Sequence, residues 1–548
     1  MRKSERLRKE LGLFDVYAIS TGAMFSSGFF LLPGLAAART GPSVALAYLV
    51  AGIFILPAMF AVAELATAMP RAGGAYYFLD RAMGPLVGTV GGLGTWLAFA
   101  LVGMGAYLAL YVDIPIQPLA VGPTVVFMAV NLVGAKESSG LQRMLVTVLL
   151  GILLFFVIQG LAEVFSQDMA EVARDRFTPF FAFGFSGFMA TVGFVFVSYA
   201  GLTKVASVSE EVRDPDRNIP LGMILSLVTA AFVYAVGVYI LVAVLPPEEL
   251  RSDLTPVATA AAAFFDWLPG GIGVILVVIA AIAAFASTGN AGILSASRYP
   301  LAMARDNLIS PRFATLGRFK TPTLGLLATA GLMIASILYL DVARIAKLAS
   351  AFQLLLFSFL SLAVIIMRES GIEGYDPGFH SPLYPWMQIF GVLAPFWLIT
   401  EMGEMAVVFT LGVVGLSIGW FFHYAARRVH RSGAILHAFH RLGRMRHRGL
   451  EGELRGILQE KGLRAEDPFQ ELVARAQVLE HRERVPLREL LARTVTHLTE
   501  GTDVSGGDLA LRFSREMRSG FVPMGRGTAI PHLRITGLLH PRMVLVRC

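Results

Sequence analysis

The sequence predicts an all-α polytopic membrane protein that carries a small cytoplasmic α/β domain at its C-terminal end. The chain has 548 residues, of which 55% are hydrophobic and 16% charged, so it is more apolar than soluble domains. Apolar runs long enough to cross a bilayer recur from residue 13 to about residue 425. The net charge of +7 comes from the sequence after those runs, which indicates a separate basic tail.

We predict twelve transmembrane helices. Loops assigned to the cytoplasm are rich in arginine and lysine, whereas the short loops 113–115 and 401–404, assigned outside, contain neither. The positive-inside rule therefore places both termini in the cytoplasm, in a protein of the cytoplasmic membrane. The predicted spans are 13–38, 43–68, 85–112, 116–134, 142–163, 179–206, 220–245, 271–304, 323–340, 345–367, 385–401 and 405–425.

The first span contains polar and flexible residues at mid-depth, in the stretch GAMFSSGFF (22–30). Gly22 and Gly28 let the backbone turn, and Ser26 and Ser27 add hydroxyl groups. An unpaired backbone group is tolerated inside a membrane only where it is buried in protein or lines a cavity. The stretch therefore indicates either a broken helix whose freed groups bind a ligand, with the positive end of a half-helix near Phe29 suited to a carboxylate, or close packing through small residues.

The sixth span repeats this pattern in FVFVSYAGLTKVAS (194–207), where Ser198, Tyr199 and Gly201 interrupt the apolar run. Corresponding breaks five spans apart are typical of a 5+5 inverted repeat with discontinuous helices 1 and 6. Lys204 follows the second break. It is a functional candidate because a lysine within a span is costly, and the alternative is that it snorkels to the surface or pairs with Glu210 or Glu211.

Four longer motifs, in order along the chain, carry a family resemblance over residues 13–425. They are AELATAMPRAGGAYYFLDRAMGP (63–85), YAGLTKVASVSEEVRDPDRNIP (199–220), NAGILSASRYPLAMARDNLISP (290–311) and YDPGFHSPLYPWMQIFGVL (375–393). With them the chain resembles the amino acid–polyamine–organocation (APC) permeases, which share the fold of sodium-coupled amino-acid transporters.

The resemblance implies a substrate site between the two breaks. In such permeases the backbone of the first break holds the substrate carboxylate, and carbonyl groups of the second hold its ammonium. The usual first break has a glycine where this chain has Ser26, which adds a hydroxyl group and stiffens the turn. The residues implied for the carboxylate are Ser26, Ser27 and Gly28, those implied for the ammonium are Phe196, Ser198, Tyr199 and Gly201, and Tyr107 is a candidate wall of the site.

The sequence leaves the coupling ion open. Some APC permeases place a lysine in the middle of span five, but the corresponding position here is near Leu149, and no lysine or arginine occurs between Arg143 and Arg174. Sodium is possible because Ser287 and Thr288 could supply the oxygen ligands that a hard cation prefers. Proton coupling through another group, such as Lys204 or Glu64, and uncoupled exchange are the alternatives.

The tail divides into a basic juxtamembrane linker (426–450) and a cytoplasmic regulatory domain (451–548). Apolar residues at three- and four-residue spacing predict amphipathic helices over 450–500, including FQELVARAQVLEHRE (469–483). GRGTAIPHLRI (525–535) resembles the phosphohistidine site of fructose/mannitol-type enzyme IIA domains, which makes His532 a possible phosphoryl acceptor. The resemblance begins at about residue 485, and we expect the domain to be incomplete, with MVLVRC (543–548) forming a strand.

These observations together favour a secondary transporter of amino acids or related amines, regulated through its tail. The alternatives are a transporter of an inorganic cation or another organic solute on the same fold, and a membrane sensor that signals through the tail. We expect no enzymatic activity, metal site or cofactor beyond a coupling Na⁺ or H⁺. The expected partners are the small-molecule substrate, the lipid bilayer and a regulatory protein at the tail, and not nucleic acid, because the basic charge directly follows a span.

Overall fold

A computed structural model gives the fold of the chain in two compact units, Met1–Leu442 and Gly443–Cys548. We treat each unit by itself. The structure describes residues 9, 11–71, 73–97, 116–133, 138–317, 321–339, 342–429, 431–446, 472–480, 486–499, 506–519, 523–525, 528–529, 533 and 542–547.

The first unit is built of helices and the loops between them in its described residues. Its first ten described α-helices are α1 (Leu13–Met24), α2 (Ser27–Phe30), α3 (Leu32–Thr40), α4 (Val44–Phe54), α5 (Leu56–Ala68), α6 (Gly74–Met83), α7 (Pro85–Leu97), α8 (Ile116–Val133), α9 (Ser138–Ser166) and α10 (Met169–Phe177).

The second half of the unit continues in the same way. Its helices are α11 (Gly184–Val195), α12 (Leu202–Val208), α13 (Pro215–Val244), α14 (Pro247–Ser252), α15 (Pro256–Phe264), α16 (Ile272–Arg305), α17 (Thr323–Tyr339), α18 (Val342–Ser370), α19 (Trp386–Glu401), α20 (Glu404–Trp420) and α21 (Ile435–Arg446).

Seven helical segments in the described part of the chain are long and apolar enough to cross a membrane, and two shorter apolar helices add to them. The number twelve therefore stays a prediction. Four helices have 29 to 34 residues. At 1.5 Å per residue they exceed the roughly 30 Å of a bilayer core, which requires tilt or ends that project beyond it. The seven segments are 32–68, 143–166, 184–211, 215–244, 269–289, 346–370 and 404–425.

The centre of this unit is formed by the interrupted helices and their neighbours. Helix α1 packs against α13, and α11 packs against α4. The halves on either side of the breaks also meet, because α3 contacts α11 and α1 contacts α12. Large aromatic side chains of this region are fully buried, among them Phe25, Phe29, Tyr48, Tyr199 and Tyr234.

The second unit combines short strands with two amphipathic helices in its described residues. Strand β1 (Gln477–Glu480) pairs in parallel with β4 (Val544–Arg547), and β2 (Pro523–Gly525) pairs antiparallel with β3 (Thr528–Ala529). Helices α22 (Leu487–Thr499) and α23 (Gly506–Ser519) pack through Val495, Leu509 and Phe513.

Two predictions about the tail can be compared with this unit. The strand expected at the end of the chain is present as β4. The helix expected over 469–483 is wrong for residues 477–480, which form β1. Long-range pairing with β4 satisfies the backbone of these residues, and such pairing overrides the local helical spacing from which the prediction came.

Candidate functional site

The first span is broken where the sequence predicted. Helix α1 ends at Met24, α2 begins at Ser27, and Ser26 between them has ψ −105°, outside the helical range. The last backbone bond into α1 runs from the Phe25 N–H to the Thr21 carbonyl oxygen (3.2 Å). The half-helix after the break begins at Ser27 rather than near Phe29, and it is a single turn before α3.

This break leaves four consecutive N–H groups available. Within the described part of the chain, the N–H groups of Ser26, Ser27, Gly28 and Phe29 donate no hydrogen bond, and the helical pattern resumes with the Phe30 N–H bonding to the Ser26 oxygen (3.2 Å). Ser26 is only 4% exposed. A row of buried, unpaired N–H groups is costly unless a ligand with acceptor oxygens satisfies it. The arrangement therefore suits a carboxylate.

The sixth span is interrupted between Val195 and Leu202. Residues 196–199 form one turn of 3-10 helix, so the tighter hydrogen-bond pattern replaces the α-helical one. The hydroxyl group of Ser350 lies beside this turn. It donates to the Phe194 oxygen (2.5 Å) and accepts from the Val197 N–H (3.3 Å), which fixes the start of the break against α18.

The two breaks are in direct contact. A Cβ atom placed on Gly28 would lie 2.7 Å from the Cβ of Ser198, and one placed on Gly201 would lie 2.5 Å from the Ser20 carbonyl oxygen. Glycine is therefore required at both positions for the backbones to approach this closely. The structure brings together the predicted residues Ser26, Gly28 and Ser198 with Gly201.

Two buried tyrosines, Tyr234 and Tyr48, bond to carbonyl groups of the breaks, and a third, Tyr199, bonds to the backbone of Tyr48. Tyr234 lies with its hydroxyl oxygen 2.7 Å from the Met24 oxygen and 3.1 Å from the Ser198 oxygen. Tyr48 donates to the Gly28 oxygen (2.8 Å), and Tyr199 donates to the Tyr48 oxygen (2.8 Å). The Tyr48 and Tyr199 rings both lie against the Tyr234 ring, with centroids 5.1 and 5.2 Å away. Together these bonds connect the break in the first span (break one) to the break in the sixth span (break six).

Tyr48 and Tyr234 were not among the predicted site residues. They lie on α4 and α13, which run without a break, and in the sequence they resemble ordinary packing aromatics. The available signal in the sequence was a tyrosine within an apolar span, because its hydroxyl requires a hydrogen-bond partner when it is buried. The sequence does not show that this partner is a broken helix.

The predicted ion-coupling residues of α16 lie beside the first break. Thr288 donates to the Gly22 carbonyl oxygen (3.0 Å), and Ser287 is buried. Thr21, which precedes Gly22, has a buried hydroxyl oxygen without a hydrogen-bond partner among the described residues. The Thr288 hydroxyl of α16 thus meets a carbonyl oxygen of α1 beside the first break.

Lys204 is buried in α12 and only 8% of its surface is exposed. The interpretation that it snorkels to the surface is therefore wrong, because the side chain is enclosed by protein. Of its two suggested acidic partners, Glu211 forms an ion pair with Arg298, with a nitrogen-to-oxygen distance of 3.8 Å.

Glu64 lies in a saturated ionic cluster. Its two carboxylate oxygens accept from the Arg368 Nε (2.7 Å) and Nη2 (2.6 Å), from the Tyr375 hydroxyl (2.9 Å) and from the Ser381 N–H (2.8 Å). The Arg368 guanidinium also lies over the Tyr384 ring at 4.4 Å. Four donors on a buried carboxylate indicate a structural role at the end of α5.

Tyr107 and His532 lie outside the described residues. The candidate site therefore consists of the two breaks, the three tyrosines and the oxygen atoms of α16. Several apolar helices are long enough to cross a membrane, and two of the predicted spans are interrupted where they contact each other. These features define a multi-pass membrane protein built around broken helices.

Comparisons with known proteins assign the family. Residues 11–430 match the family model described as amino acid permease, and the chain belongs to that family. The proteins of this family are permeases and not enzymes. Cationic amino acid transporter 2, vacuolar, of Arabidopsis thaliana is 30% identical over 391 residues, which are 66% of this chain and 60% of that protein.

Two bacterial relatives match over most of their length. The branched-chain amino acid permease BcaP of Bacillus subtilis is 26% identical, over 77% of this chain and 94% of that protein. The methylthioribose transporter of the same organism is 25% identical, over 78% of this chain and 95% of that protein. By contrast, the chain spans only 60% and 65% of the length of two plant cationic transporters that it matches.

Proposed function

We propose that this chain is a secondary transporter that moves amino acids or related amines across the cytoplasmic membrane by alternating access. The observation that carries the proposal is the row of four unpaired N–H groups at Ser26–Phe29, in the break that contacts the break of the sixth span at Ser198. An α-amino acid has a carboxylate to accept these bonds and an ammonium group to donate to carbonyl oxygens. The two charged ends of the substrate thus match the two breaks.

Break six supplies the carbonyl groups of the proposed ammonium site. The Ser198 oxygen already accepts from Tyr234, and the Gly201 oxygen accepts from the Lys204 N–H (3.1 Å). A carbonyl oxygen has two lone pairs, so each can accept a second bond from a substrate. Phe196 and Tyr199 complete the proposed set.

We further propose twelve spans in a 5+5 inverted repeat, with both termini in the cytoplasm. Contacts around the breaks support this arrangement, since α1 packs on α13 as α11 packs on α4. In an inverted repeat these two pairs occupy corresponding positions. One repeat moving against the other would open the site to each side in turn.

We propose sodium as the coupling ion. The Thr288 hydroxyl contacts the Gly22 carbonyl oxygen (3.0 Å), and the buried neighbours Thr21 and Ser287 would add hydroxyl oxygens. Oxygen ligands of this kind suit a hard cation. Proton coupling through Lys204 and exchange without an ion are the outcomes that the test below distinguishes.

The experiment is uptake of labelled amino acids into proteoliposomes, with a neutral, a cationic and an acidic member in the panel. A sodium gradient and a proton gradient are imposed separately, and counterflow is measured without either. We expect uptake of one class, driven by sodium. A methylthioribose-like solute is included because one relative carries that name, and its uptake in place of amino acids would overturn the proposed substrate.

The rival function is a membrane sensor that binds a solute and signals through the tail. If the chain were a sensor, substrate would bind without net flux or exchange. Binding measured by thermal shift, together with zero counterflow, would replace the transporter by the sensor. We propose that the tail domain regulates transport by docking a partner protein, with phosphoryl transfer to His532 as a second possibility that labelling with a phosphoryl donor would test.

A further inference from the structure

Part of the basic segment that follows α20 is packed on the first unit. Gly433 and Ala434 are buried, and the Ala434 N–H donates to the Arg81 oxygen (2.9 Å). A Cβ atom on Gly433 would lie only 2.3 Å from the Gly84 nitrogen. We call the described residues 426–429 and 431–434 the strap, because Gly433 and Ala434 meet the backbone at the end of α6.

Arg431 is the ionic centre of the strap. Its Nη2 lies 2.8 Å from Asp80 Oδ1, and its Nη1 lies 2.8 Å from Asp306 Oδ1. Asp80 belongs to α6, whereas Asp306 directly follows α16, so one guanidinium group bridges two separate elements. The planar fork of arginine permits this, and a lysine ammonium group does not reproduce it.

Neighbouring groups complete the cluster around these two carboxylates. Arg81 pairs with Asp80, and the Tyr76 hydroxyl donates to Asp306 Oδ2 (2.7 Å). The Asp80 side chain is fully buried. Burial raises the pKa of Asp80, against the attraction of Arg431 and Arg81. Removal of Arg431 would therefore leave a buried carboxylate with one cation instead of two.

Helix α6 connects the strap to the second break. At its start, a Cβ atom on Gly74 would lie 3.5 Å from the Ser207 Cβ in α12. Ser209, just after α12, donates to the Arg71 oxygen (3.4 Å). Helix α12 is the half-helix that begins directly after break six. The strap thus contacts one end of α6, and the half-helix contacts the other.

We propose that Arg431 is a positioning residue for transport: through the strap it fixes α6 and the end of α16, and so sets the position of α12 and of break six. The C-terminal unit begins nine residues after the strap, at Gly443, so an effect of the tail on the site would pass through the strap. This inference rests on the proposed transport function. Spatial connection alone does not establish such a route, and a measured coupling does.

The test compares Arg431→Gln, Asp306→Asn and the double variant with Arg427→Gln in the full-length chain. Arg427 is an exposed arginine of the same strap, which makes it a matched control. We expect Arg431→Gln to lower the maximal uptake rate by roughly 2- to 30-fold, with the KM changed less than the rate. The double variant should be no slower than the slower single one, because both remove the same bridge.

Hydrogen exchange at the amides of residues 202–208 gives a readout that does not require transport. We expect faster exchange in Arg431→Gln than in Arg427→Gln, and an intermediate rate in Arg431→Lys. Arg431→Lys also replaces Arg431→Gln if the latter fails to fold. Equal exchange and equal uptake in Arg431→Gln and the control would overturn the inference. If hydrogen exchange is altered but neither the native protein nor any variant takes up substrate, the proposed transport function is overturned. The positioning role of Arg431 and the strap is then retained.

Discussion

The Tyr234 hydroxyl oxygen lies 2.7 Å from the carbonyl oxygen of Met24, the last residue of α1. The same oxygen lies 3.1 Å from the Ser198 oxygen in break six. A phenol has one proton to donate, so the two carbonyl groups compete for it. One side chain from an unbroken helix thereby holds both interrupted helices together.

Replacing Tyr234 by phenylalanine should loosen this connection without changing the packing. The buried Met24 carbonyl would lose its donor, at a cost of about 1–3 kcal/mol for an unsatisfied buried group. We expect a lower midpoint of thermal unfolding and a reduced uptake rate. Tyr239→Phe is the control, because Tyr239 lies on the same helix and its ring stacks on Phe177. Equal losses in both variants would contradict the role of the Tyr234 hydroxyl.

The sequence predicts the two breaks but not the residues that hold them in place. Gly28, Ser198 and Gly201 stand out because small and polar residues are unusual within a span. Tyr234 does not stand out, since its role depends on a carbonyl group released 210 positions earlier in the chain. Arg431 resembles a solvated residue of a basic run, and its partner Asp80 is 351 positions away. Such pairings are set by the tertiary arrangement, which local patterns do not encode.

Gly28→Ala should abolish transport while the protein still inserts and folds. The added methyl group would lie 2.4 Å from the Tyr234 oxygen and 2.7 Å from the Ser198 Cβ, so the two breaks must separate. Gly412→Ala is the matched control, since a Cβ atom there meets nothing within 4 Å. Uptake and expression are measured for both variants. Normal uptake by Gly28→Ala would show that the breaks do not need this contact.

Glu64→Gln should reduce stability and leave the pH dependence of uptake unchanged. The carboxylate is fully buried and pairs with Arg368, and removing one partner of a buried pair typically costs about 3–5 kcal/mol. A structural residue alters the amount of folded protein, whereas a proton carrier alters the pH profile. The measurements are the thermal midpoint and the uptake rate per folded molecule at several pH values, with Glu163→Gln as the control. A shifted profile with normal stability would make Glu64 a proton carrier.

Thr288→Val should weaken the dependence of uptake on sodium more than the affinity for the amino acid. The Thr288 hydroxyl contacts the Gly22 oxygen at 3.0 Å, and valine keeps the shape of the side chain but removes this oxygen. If the oxygen is a sodium ligand, the sodium concentration for half-maximal uptake should rise several-fold, roughly tenfold for a loss of about 1.4 kcal/mol.

A control for this last substitution is Thr410→Val, since the Thr410 hydroxyl donates to the Ala406 oxygen one turn earlier in α20 (2.7 Å). Uptake is measured against sodium concentration at saturating amino acid, and then against amino acid at saturating sodium. A change confined to the second titration would place Thr288 in the substrate site instead. An unchanged sodium titration in Thr288→Val would remove the hydroxyl group from the proposed ion site, and proton coupling through Lys204 would then become the leading mechanism.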